Sequence, residues 1–377
     1  MNQKIKLIFL DHEPLTEFTK EIYSVEKFIK SGFVVEYWDL HPFLFPNRNL
    51  TDEAKEKYIH LILSFDNFIE KLNSVDVDRT IFMFFISDCW KNRHIVHLLS
   101  KKKCRIITID YYANAYIKLP LLRRLKRVFY SNIWKKILNL YLENRYKIFK
   151  MKHNIEPFRN NFSTSYKGNF RINHPDYERY KRLLIESKDI FHDQYILFID
   201  NYYPLHPDFK DFSTDSKQSE ASVYYNSMKV FFDKLEKKYS IPVVIAAHPK
   251  ANYNDSEFGN RKIIKYATGT LIQYSKYVVL HASNSISFVV LFDKPLAFIK
   301  TNGMRPFNKS TFHILSLAKS FGKNVFNVDK HKFENFFFSR ISQKYSDQYI
   351  NNYITSPQIK DKSNHEILIE KIEEIFK

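Results

Sequence analysis

Glycine is scarce in this chain: 6 among 377 residues, where average usage gives roughly 26. Neither GxGxxG nor GxxxxGK(S/T) occurs, which excludes a glycine-rich phosphate loop. A bound phosphate must then be held by helix N-termini, hydroxyls and cations. The two cysteines, Cys89 and Cys104, are too few for a disulfide framework and stand in no metal-ligand spacing. No apolar run approaches the ~18 residues that span a bilayer. The stretch MNQKIKLIFLDHEP has too short an apolar run before Asp11 for a secretion signal, so a cytoplasmic location is expected. Acidic side chains are also in deficit, 41 against 59 Lys and Arg, for a net charge of +18. That excess favours an anionic partner: nucleic acid, a phosphorylated substrate or an anionic membrane face.

What is present is globular. Hydrophobic residues make up 44% and charged ones 27%, with 35 Phe and 25 Tyr, enough for two domains of ordinary size. In the first half, buried strands are expected at Lys4–Leu10, Phe33–Leu40, Thr80–Ile86 and Arg105–Asp110. Helical spacing occupies Leu15–Lys30, Thr51–Leu72 and Lys91–Leu99 between them. After a loop-rich connector at Asn154–Asp176 and a helix at Tyr177–Ser187, strands recur at Tyr195–Ile199, Pro242–Ala247, Lys262–Lys265, Tyr277–Leu280 and Leu296–Ile299, with helices between them. This alternation predicts an α/β protein of two Rossmann-like, doubly wound parallel-sheet domains facing across a cleft. The expected divisions are 1–185, 190–360 and a terminal helix at 364–377.

The segment 119–152 departs from that pattern. LLRRLKRVFYSNIWKKILNLYLENRYKIFKMK, starting at Leu121, carries ten Lys and Arg against Glu143 alone, with Trp134 and aliphatic residues between them. A basic amphipathic helix of this kind suits an anionic membrane surface; the plainer reading is a core-facing helix with a solvated basic side.

Ligands of doubly wound sheets bind beyond the carboxyl ends of the strands, so the chemistry is sought there. His248 follows the strand VVIAA, Pro249 fixes the turn and Lys250 adds a cation; both side chains can donate to phosphate oxygens. His-Pro recurs at His41, which shares the strand-end placement less cleanly after Asp39 and Leu40, and at His174 and His206, where it reads as a loop turn. Ser283, Asn284, Ser285 and Ser287 stand between the strand YVVL and the helix ISFVVLF. A cap needs one such residue, and several extend a nest for phosphate. Thr268 and Thr270 open the preceding helix and serve either as caps or as nucleotide contacts. Carboxylates at strand ends that suit a general base are Asp11 with Glu13 and His12 beside it, Asp110, and Asp200 with Asp208. Asp76-Val77-Asp78 has the DxD metal spacing but precedes its strand, on the wrong edge of the sheet, so no metal site is expected.

AAHPKANY followed by TGTLIQYSKYVVLHASNSISFVVLFDKPLAFI resembles bacterial surface-polysaccharide glycosyltransferases of the GT-B type, the capsule and lipopolysaccharide enzymes that use CMP-activated acidic sugars such as sialic acid and Kdo. The resemblance covers roughly Tyr195–Ile299 and implies that His248-Pro249 and the serines Ser283 and Ser285 contact the nucleotide phosphate. It also implies an acidic base and a glycan or lipid-linked acceptor, with no cofactor. DNYYPLHPD lacks the family's acidic-acidic-glycine signature, which leaves the base between Asp11, Glu13 and Asp200. A CDP-polyol transferase is the alternative and would need His281 or His12 as base. A nucleic-acid binder is disfavoured because most aromatics fall in buried strands and helical stripes.

Overall fold

The computed structural model describes residues 4–46, 56–117, 133–186, 188–191, 193–203, 205, 218–253, 256–304 and 309–377. The chain separates into two compact units, Met1–Ala113 with Trp134–Asn173 and Ser356–Lys377, and Asn114–Ile133 with His174–Thr355.

The first unit is built on strands β1 (Lys6–Asp11), β2 (Val34–Asp39), β3 (Ile59–Leu61), β4 (Thr80–Phe84), β5 (Arg105–Asp110), β6 (Asn160–Ser163) and β7 (Phe170–Arg171). All pair in parallel in the order β3-β2-β1-β4-β5-β6-β7. Leu7, Ile8, Phe9 and Leu10 of β1 are completely buried, as a central parallel strand covered on both faces requires.

The second unit holds β8 (Ile196–Ile199), β9 (Val243–Ala246), β10 (Ile263–Ile264), β11 (Tyr277–Leu280), β12 (Leu296–Lys300) and β13 (Val325–Asn327), again all parallel. Their order is β10-β9-β8-β11-β12-β13. On one face the helix Gln218–Tyr239 packs Tyr224, Met228, Phe231, Phe232 and Leu235 against the sheet. Each fully buried side chain of this size contributes about 1.5–3 kcal/mol. The other face carries the helices Thr268–Tyr274 and Ile286–Leu291. Gly269 lets them close up, because a Cβ there would stand 2.8 Å from Leu183 Cδ1 and 3.1 Å from the Phe288 ring.

Counting each unit's strands from its own first, both sheets run 3-2-1-4-5-6, with a seventh strand beyond the sixth in the first unit, the doubly wound order with its crevice where the winding reverses. That reversal falls between β1 and β4 in one unit and between β8 and β11 in the other. Asp11 closes β1 and Asp200 follows β8, so each unit puts an aspartate at the switch.

Several elements differ from the expectation. Leu15–Lys30 is two helices, Glu17–Ile22 and Val25–Lys30, broken at Ser24, which has a left-handed φ of 56°. The expected helix at Thr51–Leu72 is, in its described part, the strand β3 followed by the helix Phe65–Asn73. Ser64 starts that helix by accepting from Asn67 N–H, while Ile59–Leu61 pairs with β2. The connector Asn154–Asp176 contains β6 and β7, the last two strands of the sheet, too polar and short to stand out by pattern. The helix Pro175–Glu186 belongs with the second unit, not with 1–185. The terminal helix Asn364–Phe376, opened by a Ser363/Glu366 capping box, packs Ile367, Leu368 and Ile372 into the core of the first unit. Of 119–152, the described part is the helix Ile133–Lys152.

Candidate active site

At the switch of the second sheet, Asp200 is 3% exposed. Tyr253 donates its hydroxyl to Asp200 Oδ2 at 2.5 Å. Burial pushes the carboxyl up to about 6, against the opposing pull of the Tyr253 hydroxyl and the backbone N–H groups of Tyr202, His248 and Asn201. Tyr202, two residues on, has a left-handed φ of 57° and packs edge-on against Tyr253. A non-glycine residue in that region marks a turn held by its surroundings. Asp200 therefore fixes the loops that leave β8 and β9, and it presents almost no surface to a substrate. Asn201 Oδ1 and, beyond β12, Thr301 Oγ1 are buried without a hydrogen-bond partner among the described residues.

His248 follows β9 and is half-buried, with Pro249 and Lys250 exposed after it. Lys250 N–H donates to His248 Nδ1 at 3.1 Å, and Ala251 N–H donates to the His248 carbonyl at 2.8 Å. An accepting Nδ1 places the proton of the neutral ring on Nε2, which makes that nitrogen a donor. His174 shows what the same local bond does elsewhere: its Nδ1 accepts from Asp176 N–H at 3.1 Å, yet the ring is 1% exposed and serves the start of the helix Pro175–Glu186. His41, also buried, opens the helix His41–Leu44, with its N–H donated to Asp39 Oδ1 at 2.7 Å. His206 lies outside the described residues.

Beyond β11, Ser285 N–H donates to Ser283 Oγ at 3.2 Å, and Ser285 holds the N-cap of the helix Ile286–Leu291 without a capping side-chain bond. Ser283 accepts there, so its own hydroxyl proton is still to be donated. Asn284 is exposed, its Oδ1 3.4 Å from Asn114 Nδ2. Ser287 is completely buried; its hydroxyl donates to the Asp176 carboxylate and lies 2.9 Å from the Asn284 carbonyl oxygen. Ser287 thus ties two helices together and is no part of a phosphate nest. Thr268 starts its helix past the edge strand β10, two strands away from β8, so the structure does not bring it to the switch.

His281 directly follows β11 and is wholly buried. Its Nδ1 is 2.8 Å from the Ile299 carbonyl and its Nε2 2.9 Å from the Tyr224 hydroxyl. Burial pushes it down to about 4, so a neutral ring donates from Nδ1 and accepts at Nε2. His281 is a core histidine that staples β11 to β12 and to the helix Gln218–Tyr239.

At the switch of the first sheet, Asp11 is again 3% exposed, but its oxygens are saturated. Oδ1 accepts from His12 N–H at 2.6 Å and Glu13 N–H at 3.2 Å, and Oδ2 accepts from the Tyr23 hydroxyl at 2.8 Å. Glu13 in turn gives its carbonyl to the Tyr37 hydroxyl at 2.7 Å. His12 is the exposed member, with 36% of its side chain open and Nδ1 3.0 Å from the Phe85 carbonyl and 3.3 Å from Asp11 Oδ1. The Asp11 hydrogen bond, with its charge and the Phe85 carbonyl, raises His12 above its usual value against the opposing effect of burial. Asp76 Oδ1 accepts from Asp78 N–H at 3.1 Å in a turn before β4, and among the described residues no group of three or more His, Cys, Asp or Glu is placed to hold a metal.

No family model matches the sequence, and no curated protein matches it. Among solved structures, the chain is similar to a variant of the wall teichoic acid polymerase TagF, at 10% identity over 99% of this chain and 90% of that one, with a TM-score of 0.47. It is also similar to a UDP-GlcNAc 2-epimerase from Neisseria meningitidis bound to UDP-GlcNAc (11% identity, 99% and 100% covered, TM-score 0.44). A third is the spinosyn forosaminyltransferase SpnP (10% identity, 99% and 100% covered, TM-score 0.42).

Proposed function

We propose that this protein is a glycosyltransferase that moves an acidic sugar, of nonulosonic acid or Kdo type, from a CMP-activated donor to a surface glycan or lipid-linked acceptor without a metal. The observation that carries the proposal is the set of donors around the second switch. His248, with its proton on Nε2, ends the strand on one side of β8, and Ser283 and Ser285 follow the strand on the other. Buried Asn201 Oδ1 and Thr301 Oγ1, at two further strand ends, lack partners among the described residues, and polar atoms left that way are costly unless a ligand or water meets them. In a chain with no glycine loop, this edge suits a nucleotide phosphate. His248, Lys250, Ser283 and Ser285 would stabilise the charge that gathers on the leaving phosphate.

The helix Ile133–Lys152 extends the proposal to an anionic membrane surface. Its second half docks through buried Tyr146 and through Lys150, which pairs with Asp88 at 2.5 Å. Its first half leaves Trp134, Ile137, Leu138, Leu140 and Tyr141 more than half exposed among basic residues. No helix among the described residues is long and apolar enough to cross a membrane, so attachment would be peripheral, at the inner face where lipid-linked acceptors are made.

Hydrolysis and transfer assays over a panel of CMP, CDP, UDP and GDP sugars test the proposal. Release of CMP from an acidic-sugar donor is the expected result. Absence of turnover and binding with every donor would overturn it.

A further inference from the structure

We infer that His12 is the general base of the first unit, its Nε2 taking the proton of a substrate hydroxyl bound at the carboxyl edge of the first sheet. The step presupposes the transfer reaction proposed above, and it departs from the carboxylate base that the family resemblance implies. The carboxylate that closes β1 is poorly placed for the task. Asp11 is buried and accepts three hydrogen bonds, from two backbone N–H groups and the Tyr23 hydroxyl. A carboxylate so buried and so engaged lacks the access that proton abstraction needs. The imidazole beside it keeps that access.

Two acceptors fix the ring. The Phe85 carbonyl, at the end of β4, and Asp11 Oδ1, at the end of β1, both face Nδ1. Nδ1 must therefore carry the proton, which leaves the Nε2 lone pair for a substrate; among the described residues no hydrogen bond engages Nε2. Because Phe85 and Asp11 come from the two strands that flank the winding reversal, the fold itself aims the ring at the switch crevice. The groups around His12 are few: Asp11 and Glu13 on its own loop, the Phe45 ring from beyond β2, and Lys91, whose Nζ lies over that ring at 4.0 Å. The carboxylates favour a protonated product state, so Asp11 is a positioning residue that also stabilises the imidazolium formed in the step.

In that step the acceptor O–H bond breaks and its proton moves to Nε2. The acceptor oxygen forms the new bond to the anomeric carbon, the bond from that carbon to the donor phosphate oxygen breaks, and the electron pair leaves on the nucleotide. The imidazolium then returns its proton to water.

The test combines His12→Gln and Asp11→Asn with donor binding, followed by thermal shift, and transfer rate across pH 5–9. His12→Gln is expected to lower kcat by about 10²–10³-fold, with donor affinity unchanged and the acidic limb of the pH–rate profile gone. In the native chain that limb lies above the ordinary histidine value, because Asp11 raises the ring. Asp11→Asn is expected to shift the limb to lower pH, a change that simple loosening of the loop would not produce. A His12→Gln protein that binds donor and transfers within two-fold of the native rate at every pH overturns the base assignment and leaves the transferase proposal standing. Failure of the native protein to bind or turn over any donor overturns both. Should His12→Gln melt early, nitrogen-15 shifts of the native His12 ring decide: a protonated Nδ1 with a lone pair on Nε2 supports the assignment, and the opposite tautomer contradicts it.

Discussion

Asp11 and Asp200 occupy the same topological position in two sheets of the same winding order, and their surroundings give them different work. Asp11 accepts backbone N–H groups and the Tyr23 hydroxyl, with an imidazole half-open to solvent beside it. Asp200 is equally buried, but burial dominates its electrostatics and pushes it up to about 6, and its neighbour is the Tyr253 hydroxyl. The first edge therefore presents a base and hides the carboxylate that tunes it. The second hides its carboxylate inside the loops that aim His248, and presents hydroxyl and N–H donors. Position in the fold selects where chemistry can occur; the groups packed behind the strand end select which chemistry.

The comparison is broken most sharply at His248. His248→Ala is expected to cut transfer by about 10²–10³-fold, the loss typical of one preorganised donor to a developing negative charge, with a melting temperature close to native. His174→Ala, at the buried His-Pro that makes the same local bond, is expected to destabilise the fold instead. Parallel kinetics and melting curves of the two variants separate the roles.

Asp200→Asn sharpens the other half. Asp200 holds its proton to about pH 6 in the folded protein, whereas in the unfolded chain it releases it near pH 4. Between these values the folded state binds more protons, so stability falls as pH rises through the window, by about 3 kcal/mol in all at 1.36 kcal/mol per pH unit. Replacement by Asn removes that slope, because an amide can still accept from Tyr253. Urea denaturation at pH 4 and pH 7 reads the difference, and a native-like slope in Asp200→Asn would refute it.

His281→Ala is expected to cost about 1–3 kcal/mol through the unpaired Tyr224 hydroxyl and Ile299 carbonyl, with kcat of the folded fraction unchanged. A selective loss of kcat would return His281 to the chemistry. The smallest effect is expected at the membrane helix. Trp134→Ala should weaken sedimentation with phosphatidylglycerol vesicles several-fold, with no change in transfer to a soluble acceptor; equal binding to phosphatidylcholine vesicles in high salt would argue against charge recognition.

The sheet cores are legible in the sequence, because strands covered on both faces leave unbroken apolar runs such as KLIFL, TIFMF and YVVL. Strands at and next to the sheet edge are not. NNFS and FR carry no such run and owe their conformation to their neighbours, β6 to β5 and β7 to β6, while the alternation in Tyr58–Leu63 is short enough to merge into a helical pattern. At the sites, residue types are visible and burial is not. Ser287 and Ser283 look alike in HASNSIS, and only packing shows that Ser287 serves Asp176. Asp11 stands out as a strand-end carboxylate, but its saturation comes from Tyr23, twelve residues away and brought in by the helix break at Ser24. The acceptor that turns His12 comes from Phe85, seventy-three residues away, and no local signal announces it.

The central claim, that the carboxyl edge of the second sheet holds a nucleotide phosphate, is tested most directly by thermal shift of the native chain and of His248→Ala with CMP, CDP, UDP and GDP. Binding at 100 times the dissociation constant stabilises by about 2.7 kcal/mol. The expected result is a rise in melting temperature with a cytidine nucleotide that His248→Ala largely loses. A native protein that no nucleotide stabilises, or a His248→Ala protein stabilised as much as the native one, would contradict the claim.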